Sequence, residues 1–246
     1  MQNRNNNPHA AYWLYGKHPV LMALQNKARK IKRVICTQNS FNTLTEKFSP
    51  EEIKKLNVEI VLADKIDKII FSRDIITHQG IAAEVFPLEE VDMESLFDAK
   101  LIVALDKITD PHNIGAIMRA AAAFGAAAVL TQEKNSPPEN ATIAKISAGS
   151  VEVIPYLRVS SLWINLEKLK EYGFKVIGLD GSAQKTISEV AGAEKIILVI
   201  GSEGKGLSDS IIERCDELAK ININSSVESL NASVAAAVAL YELTNL

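Results

Sequence analysis

Three short stretches of this 246-residue sequence combine residue types that could hold an anionic or polar ligand. The first is Asp110-Pro-His-Asn-Ile-Gly-Ala-Ile-Met-Arg119, which opens a helix that is otherwise almost wholly apolar through Phe124. A lone arginine on such a helix is costly to bury unpaired. Arg119 therefore calls for a partner, either a carboxylate in a core ion pair or an anionic ligand. Asn113 lies near the helix start, where asparagine commonly caps. The second stretch is Gly201-Ser-Glu-Gly-Lys-Gly-Leu207, whose glycines allow close approach of backbone to a ligand. It is not a P-loop, because Leu207 follows Gly206 where that motif needs lysine, and Gly-x-Gly-x-x-Gly is also absent. Kinase, NTPase and ordinary dinucleotide chemistry lose ground accordingly. What remains is one acid, Glu203, inside a glycine turn, either a solvated turn charge or a group facing a ligand. The third stretch holds Ser229, Asn231 and Ser233 before an Ala/Val-rich helix without charge until Glu242. These polar groups either cap the helix or hold a ligand at its start.

The elements that must position these residues follow from pattern. Residues 101–105 and 196–200 are continuous apolar runs, as in strands buried on both faces. Residues 219–223 read as a further strand, so each stretch follows a strand end, where open α/β sheets bind ligands. Helices are expected near 113–124, 143–149, 162–172, 208–215 and 233–243, and strands near 127–130, 151–155 and 175–179. That alternation implies a mostly parallel sheet with helices on both faces. Before it, residues 12–86 read as a smaller α/β unit. It holds a helix over 16–26, strands near 33–37, 58–62 and 80–85, and a helix from Pro50 capped by Ser49. Residues 87–100, acidic after Pro87, form a linker, and the Asn-rich residues 1–11 a disordered tail.

Bulk composition narrows the setting. The chain is 47% hydrophobic with a formal net charge of -3. Residues 1–45 hold seven Lys/Arg and no Asp or Glu, which points to a local basic surface for a polyanion. Cys36 and Cys215 have no metal-ligand spacing and fit a reduced cytoplasmic setting. No apolar run reaches the roughly 18 residues of a membrane span.

Together the three stretches resemble, in order, the motifs of the SpoU family of RNA ribose methyltransferases, within the SPOUT superfamily. Tyr15-Gly-Lys-His-Pro-Val20 and His78-Gln-Gly-Ile81 resemble the ribosomal-protein-like substrate-binding domain of its bacterial 23S rRNA (guanosine-2′-O-) subgroup. The resemblance implies a C-terminal α/β domain (residues 101–246) with a deep trefoil knot, a homodimer with active sites near the subunit interface, and S-adenosylmethionine as cofactor. It implies that Gly201, Ile221 and Leu230, with Leu130 and Thr131 as further candidates, bind that cofactor. It places Asn113, Arg119, Glu203, Ser229 and Asn231 around the target ribose. Arg119 would bind RNA phosphate and stabilise developing alkoxide, oriented by Glu203 and Asn113. The partner is rRNA, with tRNA as the alternative substrate, and no membrane. A non-catalytic RNA-binding factor is the rival from another class.

Overall fold

The structure, a computed structural model, describes residues 10–70 and 77–244. Most of the expected tail, residues 1–9, lies outside the described residues. The chain begins with β1 (Tyr12–Tyr15), α1 (Lys17–Gln25), β2 (Ile31–Cys36), α2 (Gln38–Lys47), α3 (Pro50–Lys55), β3 (Val58–Ile60), α4 (Ala63–Ile70) and β4 (Ile81–Val85). It continues with β5 (Leu101–Asp106), α5 (Pro111–Ala123), β6 (Val129–Gln132), α6 (Ala141–Ile146), β7 (Tyr156–Val159), α7 (Leu162–Glu171) and β8 (Lys175–Leu179). It ends with β9 (Lys185–Thr186), α8 (Ile187–Val190), β10 (Ile196–Gly201), α9 (Asp209–Ile212), β11 (Glu217–Lys220) and α10 (Ala232–Thr244). Two compact units result, one within Met1–Glu89 and Glu139–Glu152, the other within Glu90–Pro138 and Val153–Leu246.

In the first unit the sheet runs β1-β4-β2-β3, with β4 antiparallel to both β1 and β2 and β3 parallel to β2. Helix α3 starts as expected: Pro50 is in the first turn, the Ser49 hydroxyl accepts from Glu52 N, and the Glu52 carboxylate accepts from Ser49 N at 2.8 Å. The basic surface expected from residues 1–45 is largely consumed by ion pairs. Lys30 meets Glu89, and both Lys32 and Arg33 meet Glu84. Arg29 is fully buried, its guanidinium 2.6 Å from both Glu139 and Glu152 and donating to Phe86 O. The Tyr12 hydroxyl also donates to Glu139, and Asn26 donates to Glu152 at 2.9 Å. Burial, with the Glu139 charge beside it, lifts the Tyr12 phenol well above its ordinary range.

The second unit is one seven-stranded sheet, β7-β6-β5-β10-β8-β11-β9, and every neighbouring pair is parallel. β5 and β10 lie near its middle, and their continuous burial explains their unbroken apolar runs. Alternate residues serve opposite faces. Ile102, Ala104, Ile197 and Val199 join Leu162, Leu166 and Leu169 of α7 in one core cluster. On α5 and α10, which pack together, Ile114, Ile117, Met118, Ala236 and Leu240 are buried.

Three expected strands move: the one at 127–130 is Val129–Gln132, the one at 219–223 is Glu217–Lys220, and the third shifts most. The strand expected at 151–155 begins only at Tyr156; Ser150–Glu152 is instead a 3-10 turn. Its amides bond three residues back, Ser150 N to Ser147 O and Glu152 N to Gly149 O, and Pro155 has no N–H for a ladder. Strands β1 and β9 and helices α2, α4 and α8 are additional to those expected. Both thiols are free, and burial pushes Cys36 up to about 11 and Cys215 up to about 12. They stay protonated near neutrality and act as packing groups.

Candidate active site

The three stretches converge at the carboxyl ends of β5, β10 and β11. Asp110, not Asn113, caps α5: its carboxylate accepts from His112 N at 3.0 Å. That leaves the Asn113 side chain, two residues into the helix, to donate to Glu203 Oε1 at 3.0 Å. Asn231 Nδ2 donates to the same carboxylate oxygen and to Asn113 Oδ1, the latter at 3.1 Å. Its Oδ1 accepts from Ser233 N at 2.9 Å and Ser233 Oγ at 2.6 Å, capping α10. Asn231 thus caps α10 and at the same time bonds Glu203 and Asn113. Oε1 of Glu203 is fixed by two amides, and no bond to its Oε2 occurs among the described residues.

The turn carrying Glu203 is held by backbone. Ser202 and Gly206 exchange two backbone hydrogen bonds of 3.1 and 2.9 Å. Gly204 and Gly206 have φ of 77° and 64°, the left-handed region that glycine enters without strain. Gly201 is fixed for another reason: a Cβ there would lie 2.2 Å from the Gly206 carbonyl carbon. The buried Asp106 carboxylate at the end of β5 accepts from Ser208 N at 2.6 Å and ties the turn to the neighbouring strand.

Beside this turn lies a cleft of about 330 Å³. Gly201, Glu203, Ile221, Ser229 and Leu230, all expected site residues, line it. So does Leu179-Asp180-Gly181 at the end of β8, which sequence reasoning missed. The strand-end rule would have found this segment, since residues 175–179 read as a strand and β8 adjoins β10. Asp180, Glu203 and Glu228 put three carboxylates on the lining, and no Lys, Arg or His lies on it. Ile200, Ile221, Ile223 and Leu230 supply apolar wall. The cleft offers three carboxylates and an apolar wall to a small ligand.

Leu130 and Thr131 are not on this lining. Leu130 sits in the core cluster, and the fully buried Thr131 hydroxyl pairs with Ser136 Oγ. Arg119 is likewise apart. It is exposed on α5, as are His112 and Ala123, and makes no ion pair or hydrogen bond among the described residues. The premise that it is buried therefore fails, and within one chain Glu203 and Asn113 bond to each other and Asn231 rather than orienting it.

Fold and site define a parallel-sheet α/β protein whose polar triad and acidic cleft assemble at strand ends. Comparison with known proteins makes that class specific. Residues 100–241 match the SpoU rRNA Methylase family, and residues 13–91 match the RNA 2′-O ribose methyltransferase substrate-binding family. The chain belongs to the SpoU family of RNA methyltransferases. It is 34% identical over 239 residues to the TrmH family tRNA/rRNA methyltransferase YacO of Bacillus subtilis, covering 94% of each chain. It is equally 34% identical, again over 94% of each chain, to the 23S rRNA (guanosine-2′-O-)-methyltransferase RlmB of Pseudomonas aeruginosa. The SpoU methyltransferase AviRb of Streptomyces viridochromogenes, solved with AdoMet, has a similar fold: TM-score 0.78, 21% identity, 96% of this chain and 89% of that one.

Proposed function

We propose that this protein transfers a methyl group from S-adenosylmethionine to a ribose 2′-hydroxyl of structured RNA, a guanosine of 23S rRNA being the favoured target. The observation that carries this is the Asn113–Glu203–Asn231 triad beside the acidic cleft. The cofactor supplies an electrophilic methyl carbon on a positively charged sulfur. Asp180, Glu203 and Glu228 complement that charge, the apolar wall takes the adenosine, and Gly201, Ile221 and Leu230 border it. Leu130 and Thr131, buried in β6, lie off this lining.

A ribose hydroxyl is a weak nucleophile and needs help shedding its proton. Glu203 is placed for this: the amides fix Oε1 and leave Oε2 to accept the hydroxyl's hydrogen bond. Ser229, on the cleft lining, offers a hydroxyl to the same nucleotide. Arg119 serves RNA phosphate and developing alkoxide charge, because a guanidinium stays protonated and makes a poor base. Single-turnover transfer by Arg119→Ala should fall by roughly 10²- to 10³-fold, with cofactor affinity retained because Arg119 is off the lining. A near wild-type rate would remove Arg119 from the reaction.

The homodimer is part of the same reading. Helix α10 is apolar nearly all round, yet Val234 and Tyr241 are 48% and 58% exposed. A second copy would cover them and would give Arg119 a partner beyond those found among the described residues of its own chain. Sedimentation should return twice the chain mass; a monomer at micromolar concentration would contradict this. The trefoil knot is also proposed, supported by β10 lying between β5 and β8 in the sheet. The RlmB relatives favour 23S rRNA, while the TrmH-family relative keeps tRNA as the alternative. Mass-spectrometric mapping of ribose methylation in rRNA and tRNA, with and without the protein, separates them. Absence of any new 2′-O-methyl in either would favour a non-catalytic RNA-binding factor.

A further inference from the structure

A second cleft, of about 480 Å³, shares Ser202 and Gly206 with the first. Its chemistry is opposite. Lys107 and Lys205 line it with the hydroxyls of Ser202, Ser208 and Ser210, against one carboxylate, Asp209. Both lysines are exposed, and neither forms an ion pair among the described residues. Lys107 is also held in an unusual backbone state. It follows β5 at φ 57°, left-handed for a non-glycine residue. Such a conformation persists only where the surroundings fix it. Here Asp106, the preceding residue, is anchored by Ser208 N at 2.6 Å. The Ser208 and Ser210 hydroxyls stand 3.3 Å apart, so the pair keeps a proton to donate outward.

The turn at 202–206 thus separates a cleft with three carboxylates and no basic group from a cleft with two ammonium groups. A cationic cofactor and a polyanionic chain have those opposite requirements. Any ribose whose 2′-hydroxyl reaches Glu203 carries phosphodiesters on both sides. We infer that the cleft of Lys107, Lys205, Ser208 and Ser210 holds a backbone phosphate of the RNA adjoining the methylated nucleotide. The inference rests on the ribose-methylation reading above. Lys107 and Lys205 act there as positioning residues: two ammonium groups and a hydroxyl donor grip one phosphodiester and set the sugar's register against Glu203. This also relieves a charge problem, since the chain is net negative and four of the basic residues at 29–33 are spent on internal ion pairs.

The test is salt-dependent binding of in-vitro-transcribed 23S rRNA by wild type, Lys107→Asn, Lys205→Gln, the double variant and Asp209→Asn. Each lysine removed should flatten the slope of log affinity against log salt by about 0.7 to 0.9. Asp209→Asn should bind more tightly at a given salt. Binding of S-adenosylmethionine by calorimetry should be unchanged in all of them. Lys107→Asn alone, which leaves the 201–207 turn untouched and suits a left-handed position, decides the matter if the double variant does not fold. Unchanged slope and affinity in the lysine variants, with a wild type that binds and methylates RNA, would overturn the phosphate site and leave the function standing. A wild type that neither binds RNA nor transfers a methyl group would overturn both.

Discussion

Among single residues, the site turns on how one carboxylate is held. Glu203 is exposed, as a solvated turn charge would be, yet Asn113 and Asn231 from two other segments both donate to its Oε1. Fixing one oxygen is a way to aim the other. Glu203→Gln keeps an acceptor for both amides but replaces the second oxygen with a donor. Its transfer rate should fall by roughly 10²- to 10⁴-fold, the range for loss of a proton acceptor. Its affinity for S-adenosylmethionine should change far less, as measured by calorimetry. A rate within a few-fold of wild type would assign proton transfer elsewhere. The structure brings Asn113, Glu203 and Asn231 into one hydrogen-bonded group, whereas in the sequence each read separately as a cap or turn residue and only the family resemblance joined them. The sequence was not legible for Arg119. An apolar helix sequence looks buried all round, and only the fold reveals that this position faces outward.

At the scale of elements, two helix starts divide labour differently. Helix α5 takes its cap from Asp110, which frees Asn113 for the site. Helix α10 takes its cap from Asn231, which also serves the site with its other amide atom. The two tasks can be separated by substitution. Serine caps about as well as asparagine, so Asn231→Ser should alter folding stability by no more than about 0.5 kcal/mol. It cannot supply the amide that donates to Glu203, so transfer should drop sharply. Denaturant unfolding and single-turnover assays read the two effects independently, and equal retention of both would remove Asn231 from the site. Buried parallel strands such as β5 and β10 were legible because burial on both faces leaves unbroken apolar runs. Helix α2 was not, since only Leu44 of its ten residues is buried and the helix carries no apolar run. β9, two residues long, is too short to carry a pattern.

At the scale of the whole chain, the divisions do not follow sequence order. Residues 139–152 lie between two strands of the second unit's sheet but belong to the first unit. They are joined there through the buried cluster of Arg29, Glu139 and Glu152. No sequence pattern announces this, because the pairing spans more than a hundred residues and an isolated glutamate gives no sign of burial. The same cluster removes Arg29 from the positive surface that the basic count over residues 1–45 suggests. Arg29→Met would leave two buried carboxylates without their cation, at a cost of roughly 3–5 kcal/mol. Chemical denaturation should show that loss, and a change below about 1 kcal/mol, the size of an exposed pair, would mean the cluster is solvated. Among the described residues no helix is long and apolar enough to cross a membrane.

In the proposed function the triad and the acidic cleft together move a methyl group onto RNA ribose. The most direct measurement incubates the purified protein with methyl-labelled S-adenosylmethionine and 23S rRNA, digests the RNA to nucleosides and identifies the labelled product. Label is expected in a 2′-O-methylated nucleoside, guanosine in the favoured case, and none with Glu203→Gln in the same time. Label confined to a base, or no label from a folded protein that binds the cofactor, would contradict it.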